Sequence, residues 1–144
     1  MKLAIIDFNG TMYDPFTGAL MPCARELLVG LRQKGVTMVL VSKQVLGREG
    51  LPKQLGIADY FAEILFVEEK TGKQFREIMR KYGVKPQDTY VIGDYQASEI
   101  KAGNEAGAFT IHYTGGRYPL ASSDEDERAD AQIERLPDAL QYIE

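Results

Sequence analysis

Leu3-Ala4-Ile5-Ile6-Asp7-Phe8-Asn9-Gly10-Thr11 is the stretch from which the fold of this 144-residue chain is inferred. Its apolar start predicts a short buried strand, residues 3–6, that ends at Asp7. Gly10, Pro15 and Gly18 then indicate a loop. Because ligands of open α/β sheets bind beyond the carboxyl ends of the strands, Asp7 is the first candidate for a functional residue.

Downstream of this strand, short apolar runs alternate with amphipathic stretches. Further strands are predicted at residues 36–41, 64–67, 89–92, 108–112 and 131–133. Helices are predicted from Pro22 to a stop at Gly35, at residues 45–55, 71–82 and 97–106, and from Pro137 onward, with a polar loop at 114–130. The alternation predicts an α/β protein with a parallel sheet, right-handed crossovers and helices on both faces.

The composition restricts the class of protein. The 17 Lys+Arg and 21 Asp+Glu give a formal net charge of −4, and 44% of the residues are hydrophobic. These are ordinary globular values, and the length fits a single domain over residues 1–144. The acidic balance without a basic stripe argues against a nucleic-acid partner. With no membrane-length apolar run, no signal peptide and Cys23 as the single cysteine, we expect no membrane partner and a cytoplasmic location.

Four polar side chains are predicted to emerge at the carboxyl edge of the sheet. Asp7, Ser42 and Asp94 follow strands directly, and Lys70 ends the segment after another strand. Neighbouring carboxylates repel each other unless a cation lies between them, and oxygen ligands of this kind suit Mg²⁺. A hydroxyl and an ammonium beside that ion suit a phosphoryl group, which a carboxylate can attack to form an aspartyl-phosphate.

The same residues lie in four motifs that resemble, in order, those of the haloacid dehalogenase-like (HAD) hydrolases. Asp7-Phe8-Asn9-Gly10-Thr11 is similar to the family's Asp-x-Asp-Gly-Thr, and Val39-Leu40-Val41-Ser42 to its strand ending in Ser or Thr. Lys70 with Phe75 is similar to the third motif, although the usual prolines are missing, and Gly93-Asp94 with Glu99 to the fourth. The resemblance covers nearly the whole chain and implies a Rossmann-like three-layer α/β/α sandwich with a mostly parallel sheet.

The resemblance also implies a role for each residue. Asp7 would be the nucleophile, and Lys70 would balance its charge. The implied magnesium ligands are Asp7, Asn9 through its backbone carbonyl, Asp94, and Glu99 directly or through water. The implied contacts to the phosphoryl group are the loop amides near Gly10, the Ser42 hydroxyl and Lys70. Two alternatives stay open: Lys73 in place of Lys70, and Lys43 either as a substrate contact or as a solvent-facing residue.

Asn9 departs from the family pattern. In the family's phosphatases, an acid at this position protonates the leaving group and then activates water. An amide does neither near neutral pH, so general acid–base help of roughly 10²–10⁴-fold should be missing. We therefore expect a Mg²⁺-dependent phosphohydrolase or phosphotransferase that acts through Asp7, suited to acyl phosphates or anhydrides. The alternative is a catalytically weakened phosphate-binding or regulatory protein.

The spacing leaves no room for the cap domain that many members of this family insert. The segments from Asp7 to Pro22 and from Ser42 to Lys70 are both too short to hold a domain. We expect an open site that takes a small or larger phosphorylated substrate, or that a second copy of the chain covers. His112 is interpreted as structural, and the charged run at 124–128 as a solvated loop.

Overall fold

The computed structural model describes residues 1–144 and contains eight strands. They are β1 (Leu3–Asp7), β2 (Tyr13–Asp14), β3 (Ala19–Leu20), β4 (Thr37–Lys43), β5 (Glu63–Val67), β6 (Thr89–Gly93), β7 (Phe109–Tyr113) and β8 (Ala131–Ile133). Six of them form one sheet in the order β5-β4-β1-β6-β7-β8, in which every pair is parallel. The other two, β2 and β3, form an antiparallel hairpin.

Helices cover both faces of this sheet. They are α1 (Ala24–Gln33), α2 (Leu51–Gln54), α3 (Gly72–Tyr82) and α4 (Lys101–Ala106). A π-helical turn, Gln96–Ile100, leads directly into α4, and a 3₁₀ segment, Leu136–Tyr142, ends the chain. The helix α1 and the 3₁₀ segment pack on one face, and α3 and α4 pack on the other. The predicted three-layer α/β/α sandwich is therefore confirmed.

The alternation of side chains along β1 explains why two cores form. Ala4 and Ile6 point into a cluster of 21 buried residues beneath α1, whereas Leu3 and Ile5 point into a cluster of 12 beneath α3 and α4. Because side chains alternate between the two faces of a strand, an apolar run buried on both faces supplies both layers. Burial on both faces fixes β1 at the centre of the sheet.

The local structure differs from the predictions at four places. The helix predicted at residues 45–55 is reduced to the single turn α2, because Gly47 adopts φ 82° and Val45 and Leu46 have no core to face. The loop between β1 and α1 contains the hairpin of β2 and β3, whose strands are too short to give a periodic signal. The helix predicted from residue 97 begins with the π-helical turn, and the C-terminal helix is of the 3₁₀ type.

The two points at which this fold could insert a cap domain hold only short elements, as predicted. Between β1 and α1 the chain forms the hairpin, and between β4 and β5 it forms α2 and a 3₁₀ turn, Ala58–Tyr60. No cap domain is inserted at either point. None of the helices has the length and apolar character that crossing a lipid bilayer requires.

Candidate active site

Three carboxylates converge at the carboxyl edge of the sheet. Asp7 ends β1, Asp94 directly follows β6, and Glu99 lies in the π-helical turn. All three are buried, and each offers an oxygen within 4.8 Å of the oxygens of the other two. The wide turn directs Glu99 back toward the chain that precedes it, where Oε2 accepts a hydrogen bond of 2.9 Å from the Tyr95 amide. The structure thus brings together the three acids that sequence analysis named.

Lys70 supplies the one buried ammonium of this acid cluster. Its Nζ lies 2.5 Å from Oδ1 of Asp7 and 3.1 Å from Oε1 of Glu99, and its side chain is 6% exposed. Burial alone would lower the pKa of Lys70, but the charges of Asp7 and Glu99 raise it above its ordinary value. Lys70 is therefore protonated at neutral pH. The alternative candidate, Lys73, is exposed on α3.

Asp7 is held by a donor on each carboxylate oxygen. Lys70 donates to Oδ1, and the buried hydroxyl of Thr11 donates to Oδ2 at 2.8 Å. Burial alone would raise the pKa of Asp7, but the charge of Lys70 and these hydrogen bonds lower it below its usual value. Asp7 is therefore an ionised carboxylate with a fixed orientation.

The environment of the other two acids, Asp94 and Glu99, disfavours their ionised forms. Burial and then the charge of Asp7 raise the pKa of Asp94 to about 8. Burial and the same charge also raise the pKa of Glu99, although Lys70 and the Tyr95 amide oppose the shift. One buried ammonium thus faces three carboxylates, so the cluster favours either a proton or a further cation.

Arg117 is a site residue that sequence analysis missed. Its backbone amide and Nε donate to Oδ2 of Asp94 at 3.0 and 3.3 Å, and its Nη2 donates to the backbone oxygen of Asn9 at 3.4 Å. The residue lies in the loop after β7, which has no periodic pattern. The only signal in the sequence is an arginine directly after Gly115-Gly116.

Buried side chains anchor the loop that carries Arg117. The imidazole of His112 is 1% exposed, and its Nε2 lies 2.8 Å from the backbone oxygen of Tyr118. The side-chain amide of Gln96 donates to the backbone oxygen of Leu120. His112 therefore has the structural role that its position at the end of a strand suggested.

Asn9 and Gly10 lie in the loop that follows β1. Asn9 lines the site, and its side-chain Oδ1 is buried without a hydrogen-bond partner. Gly10 adopts φ 83°, and a Cβ at this position would overlap Oδ2 of Asp94. Both the backbone conformation and the close approach therefore require glycine at residue 10.

Ser42 and Lys43 lie at the end of β4. The Ser42 hydroxyl is fully buried and donates to the backbone oxygen of Lys43 at 3.2 Å. Lys43 is exposed, and its side chain lines the cleft above Asp7. Lys43 therefore lines the cleft, whereas Ser42 is buried and is not one of the lining residues.

The cleft above the acid cluster has a volume of about 380 Å³. Asp7, Lys70 and Glu99 form part of its lining, and Lys43, Arg48 and Arg117 contribute three further cations. The aromatic rings of Tyr95 and Tyr118 stack at its wall, with ring centroids 4.1 Å apart. The cleft can admit a small anionic ligand next to Asp7.

Residues 16–107 match the family model of the haloacid dehalogenase-like hydrolases. A curated relative, the glyceraldehyde 3-phosphate phosphatase of Methanopyrus kandleri, is 30% identical over 97% of this chain. The chain spans 62% of the length of that relative.

Two solved structures match the chain over nearly its whole length. An uncharacterized protein from Listeria monocytogenes superposes with a TM-score of 0.82 and 18% identity, covering 99% of this chain and 96% of that one. A D,D-heptose 1,7-bisphosphate phosphatase from B. bronchiseptica, complexed with magnesium and phosphate, superposes with a TM-score of 0.73 and 18% identity. The covered shares are 99% of this chain and 97% of the phosphatase. These likenesses support the fold.

Proposed function

Because the chain belongs to the haloacid dehalogenase-like hydrolases, we propose that it is a Mg²⁺-dependent phosphohydrolase or phosphotransferase that acts through Asp7. The observation that carries the proposal is the convergence of Asp7, Asp94 and Glu99 around the ammonium of Lys70. The relatives named as phosphatases of glyceraldehyde 3-phosphate and phosphoglycolate support a small phosphorylated substrate. A cleft of about 380 Å³ suits a ligand of that size.

The acid cluster fits a magnesium ion. Oδ1 of Asp94 is buried without a hydrogen-bond partner, and such an atom is costly unless a cation or water meets it. Asp7, Asp94, Glu99 and the backbone oxygen of Asn9 are the donors that would hold the ion, since Mg²⁺ prefers oxygen ligands. When bound, Mg²⁺ supplies positive charge that stabilises the negative charge on the phosphoryl oxygens.

Asp7 is the group positioned for nucleophilic attack. It is ionised, and Lys70 and Thr11 fix its two oxygens. In the proposed first step, an oxygen of Asp7 forms a bond to phosphorus while the bond from phosphorus to the leaving oxygen breaks. In the second step, water attacks the aspartyl-phosphate, which releases phosphate and restores the carboxylate. An alcohol in place of water would give phosphoryl transfer.

Asn9 restricts the substrates that suit this mechanism. Its amide can donate a hydrogen bond but cannot transfer a proton near neutral pH. The best substrates are therefore those whose leaving group departs without a proton, such as acyl phosphates and anhydrides. Because no carboxylate activates water at this position, the aspartyl-phosphate should also persist.

A persistent aspartyl-phosphate favours a second candidate function. In this second candidate function, the chain is a phosphate-binding or regulatory protein of low turnover, and Asp7 is its phosphorylated residue. Asn9 is the observation that favours this candidate over an efficient phosphatase. The two candidates share the site and differ only in how fast the second step runs.

The test compares acetyl phosphate with ethyl phosphate in the presence of Mg²⁺. We expect the natural chain to hydrolyse acetyl phosphate, Asn9→Asp to gain roughly 10²-fold on ethyl phosphate, and Asp7→Asn to abolish both activities. Turnover by Asp7→Asn at the natural rate would contradict the proposal. Turnover by Asn9→Asp alone, with a phosphoryl group retained on the natural chain in intact-mass spectra, would identify the regulatory candidate.

A further inference from the structure

Two guanidinium groups flank Asp7 outside the acid cluster. Arg48 lies in the turn after β4, Arg117 lies in the loop after β7, and both line the cleft. In the sheet, β4 is the neighbour of β1 on one side, and β6 followed by β7 lies on the other. The two arginines therefore approach the cleft from opposite sides of Asp7.

Arg48 is directed inward although it has no acidic partner. It is the one half-buried residue among exposed neighbours at 43–50, and its Nη1 donates to the backbone oxygen of Lys43 at 3.4 Å. No ion pair of the structure includes Arg48. Burial and then the positive charge of Arg117 lower the pKa of Arg48, and the charge of Asp7 opposes this shift.

Arg117 has an acidic partner, but the proposed metal ion would compete for it. Its partner, Asp94, is one of the three carboxylates that fit Mg²⁺, and the backbone oxygen of Asn9 is the other atom that Arg117 contacts. Its side chain is 32% exposed and lines the cleft. A divalent cation held by Asp94 would weaken the attraction between Asp94 and Arg117.

The remaining acids of the cleft do not satisfy these arginines. Glu68 and Glu69 also line the cleft, but they follow β5, which lies at the edge of the sheet beyond β4. Neither forms an ion pair with Arg48 or Arg117. Asp7, the carboxylate between the arginines, forms its ion pair with Lys70, so Arg48 has no ion-pair partner and Arg117 has only Asp94.

We propose that Arg48 and Arg117 bind a second anionic group of the substrate, a carboxylate or a phosphate, in addition to the transferred phosphoryl group. Guanidinium groups suit such anions because they can donate two parallel hydrogen bonds. The stacked rings of Tyr95 and Tyr118 supply an apolar wall for the carbons between the two anionic ends. The inference rests on the proposed function, because it presumes that Asp7 and Mg²⁺ receive the first phosphoryl group.

The test uses three phosphonates, which cannot be hydrolysed and so report binding alone. They are 3-phosphonopropanoate, propane-1,3-diylbisphosphonate and, as the ligand without a second charge, 3-hydroxypropylphosphonate. Calorimetric titrations with Mg²⁺ present would compare the natural chain with Arg48→Gln and Arg117→Gln. Arg80→Gln is the matched control, because Arg80 is exposed on α3 and forms no hydrogen bond or ion pair through its side chain.

We expect at least one doubly anionic ligand to bind the natural chain about tenfold more tightly than 3-hydroxypropylphosphonate, and each cleft variant to lose most of that preference. The doubly anionic ligand that binds more tightly to the natural chain identifies the second anion as carboxylate or phosphate. Equal affinities in the natural chain, or a preference that survives both substitutions, would overturn the inference. If Arg117→Gln fails to fold, the affinities of Arg48→Gln alone test the inference.

Inorganic phosphate separates this inference from the proposed function. If phosphate binds with Mg²⁺ but the charged phosphonates show no advantage, the second anion site is wrong and the phosphoryl site stands. If neither phosphate nor any phosphonate binds, both the second anion site and the proposed function are wrong.

Discussion

Replacing Asp94 by Asn should stabilise the metal-free protein at neutral pH. Asp94 is buried beside Asp7 and Glu99, and the cluster contains only one buried ammonium. An asparagine keeps the shape of the side chain and can still accept the hydrogen bond from the Arg117 amide, but it carries no negative charge. The substitution therefore removes repulsion from Asp7 that a proton or a metal ion otherwise relieves.

The magnitude follows from the shift in protonation. The pKa of Asp94 is raised from 3.8 to about 8 by burial and by the charge of Asp7. Stability linked to this shift is complete below the unfolded pKa and is lost as the pH rises toward the folded pKa, at about 1.4 kcal/mol per pH unit. The variant should therefore gain at most about 4 kcal/mol at pH 7 and only about 1 kcal/mol at pH 4.5.

Urea unfolding followed by circular dichroism, in EDTA at both pH values, measures this gain. Asp88→Asn is the matched control, because its side chain is 41% exposed and its loss should change stability by less than about 0.5 kcal/mol. Saturating Mg²⁺, at a hundred times its dissociation constant, should stabilise the natural chain by about 2.7 kcal/mol and the variant far less. The reasoning is refuted if Asp94→Asn is no more stable than the natural chain at pH 7, or if its advantage is the same at pH 4.5.

Two further predictions concern the loops around the cluster. Gly10→Ala should lose roughly 1–3 kcal/mol of stability and most of its Mg²⁺ affinity in calorimetry, because the added Cβ meets Asp94. Gly18→Ala is the matched control, because Gly18 has φ 73° but no atom lies near the position of the added Cβ. This variant should lose stability through backbone strain and keep its Mg²⁺ affinity. Equal Mg²⁺ affinities in the two variants would argue against the close-approach explanation. His112→Phe should leave the Tyr118 carbonyl without its partner, so trypsin should cut the loop after β7 faster than in the natural chain. An unchanged cleavage rate would show that this hydrogen bond does not hold the loop.

The acids of the site could be located from the sequence because they lie at the ends of buried strands. A strand buried on both faces is a continuous apolar run, and its end is visible as the first polar residue. Asp7 and Asp94 mark such ends, and the carboxyl ends of neighbouring parallel strands share one edge of the sheet. The fold class and the grouping of these acids were therefore accessible to sequence reasoning.

The cations of the cleft could not be located in the same way. Arg48 and Arg117 lie in segments without periodicity, and their positions depend on how each loop returns over the sheet. The predicted helix at residues 45–55 failed for the same reason. Its apolar residues Val45 and Leu46 are exposed, so tertiary packing did not support the local pattern.

The central position of β1 has a consequence for how the chain folds. Leu3 pairs with Thr37 on one side and with Thr89 on the other, so one of the two neighbours of β1 comes from a strand far along the chain. Such high contact order slows folding. A cation that requires Asp7 and Asp94 together would thus bind late in folding. It would chiefly lower the rate of unfolding.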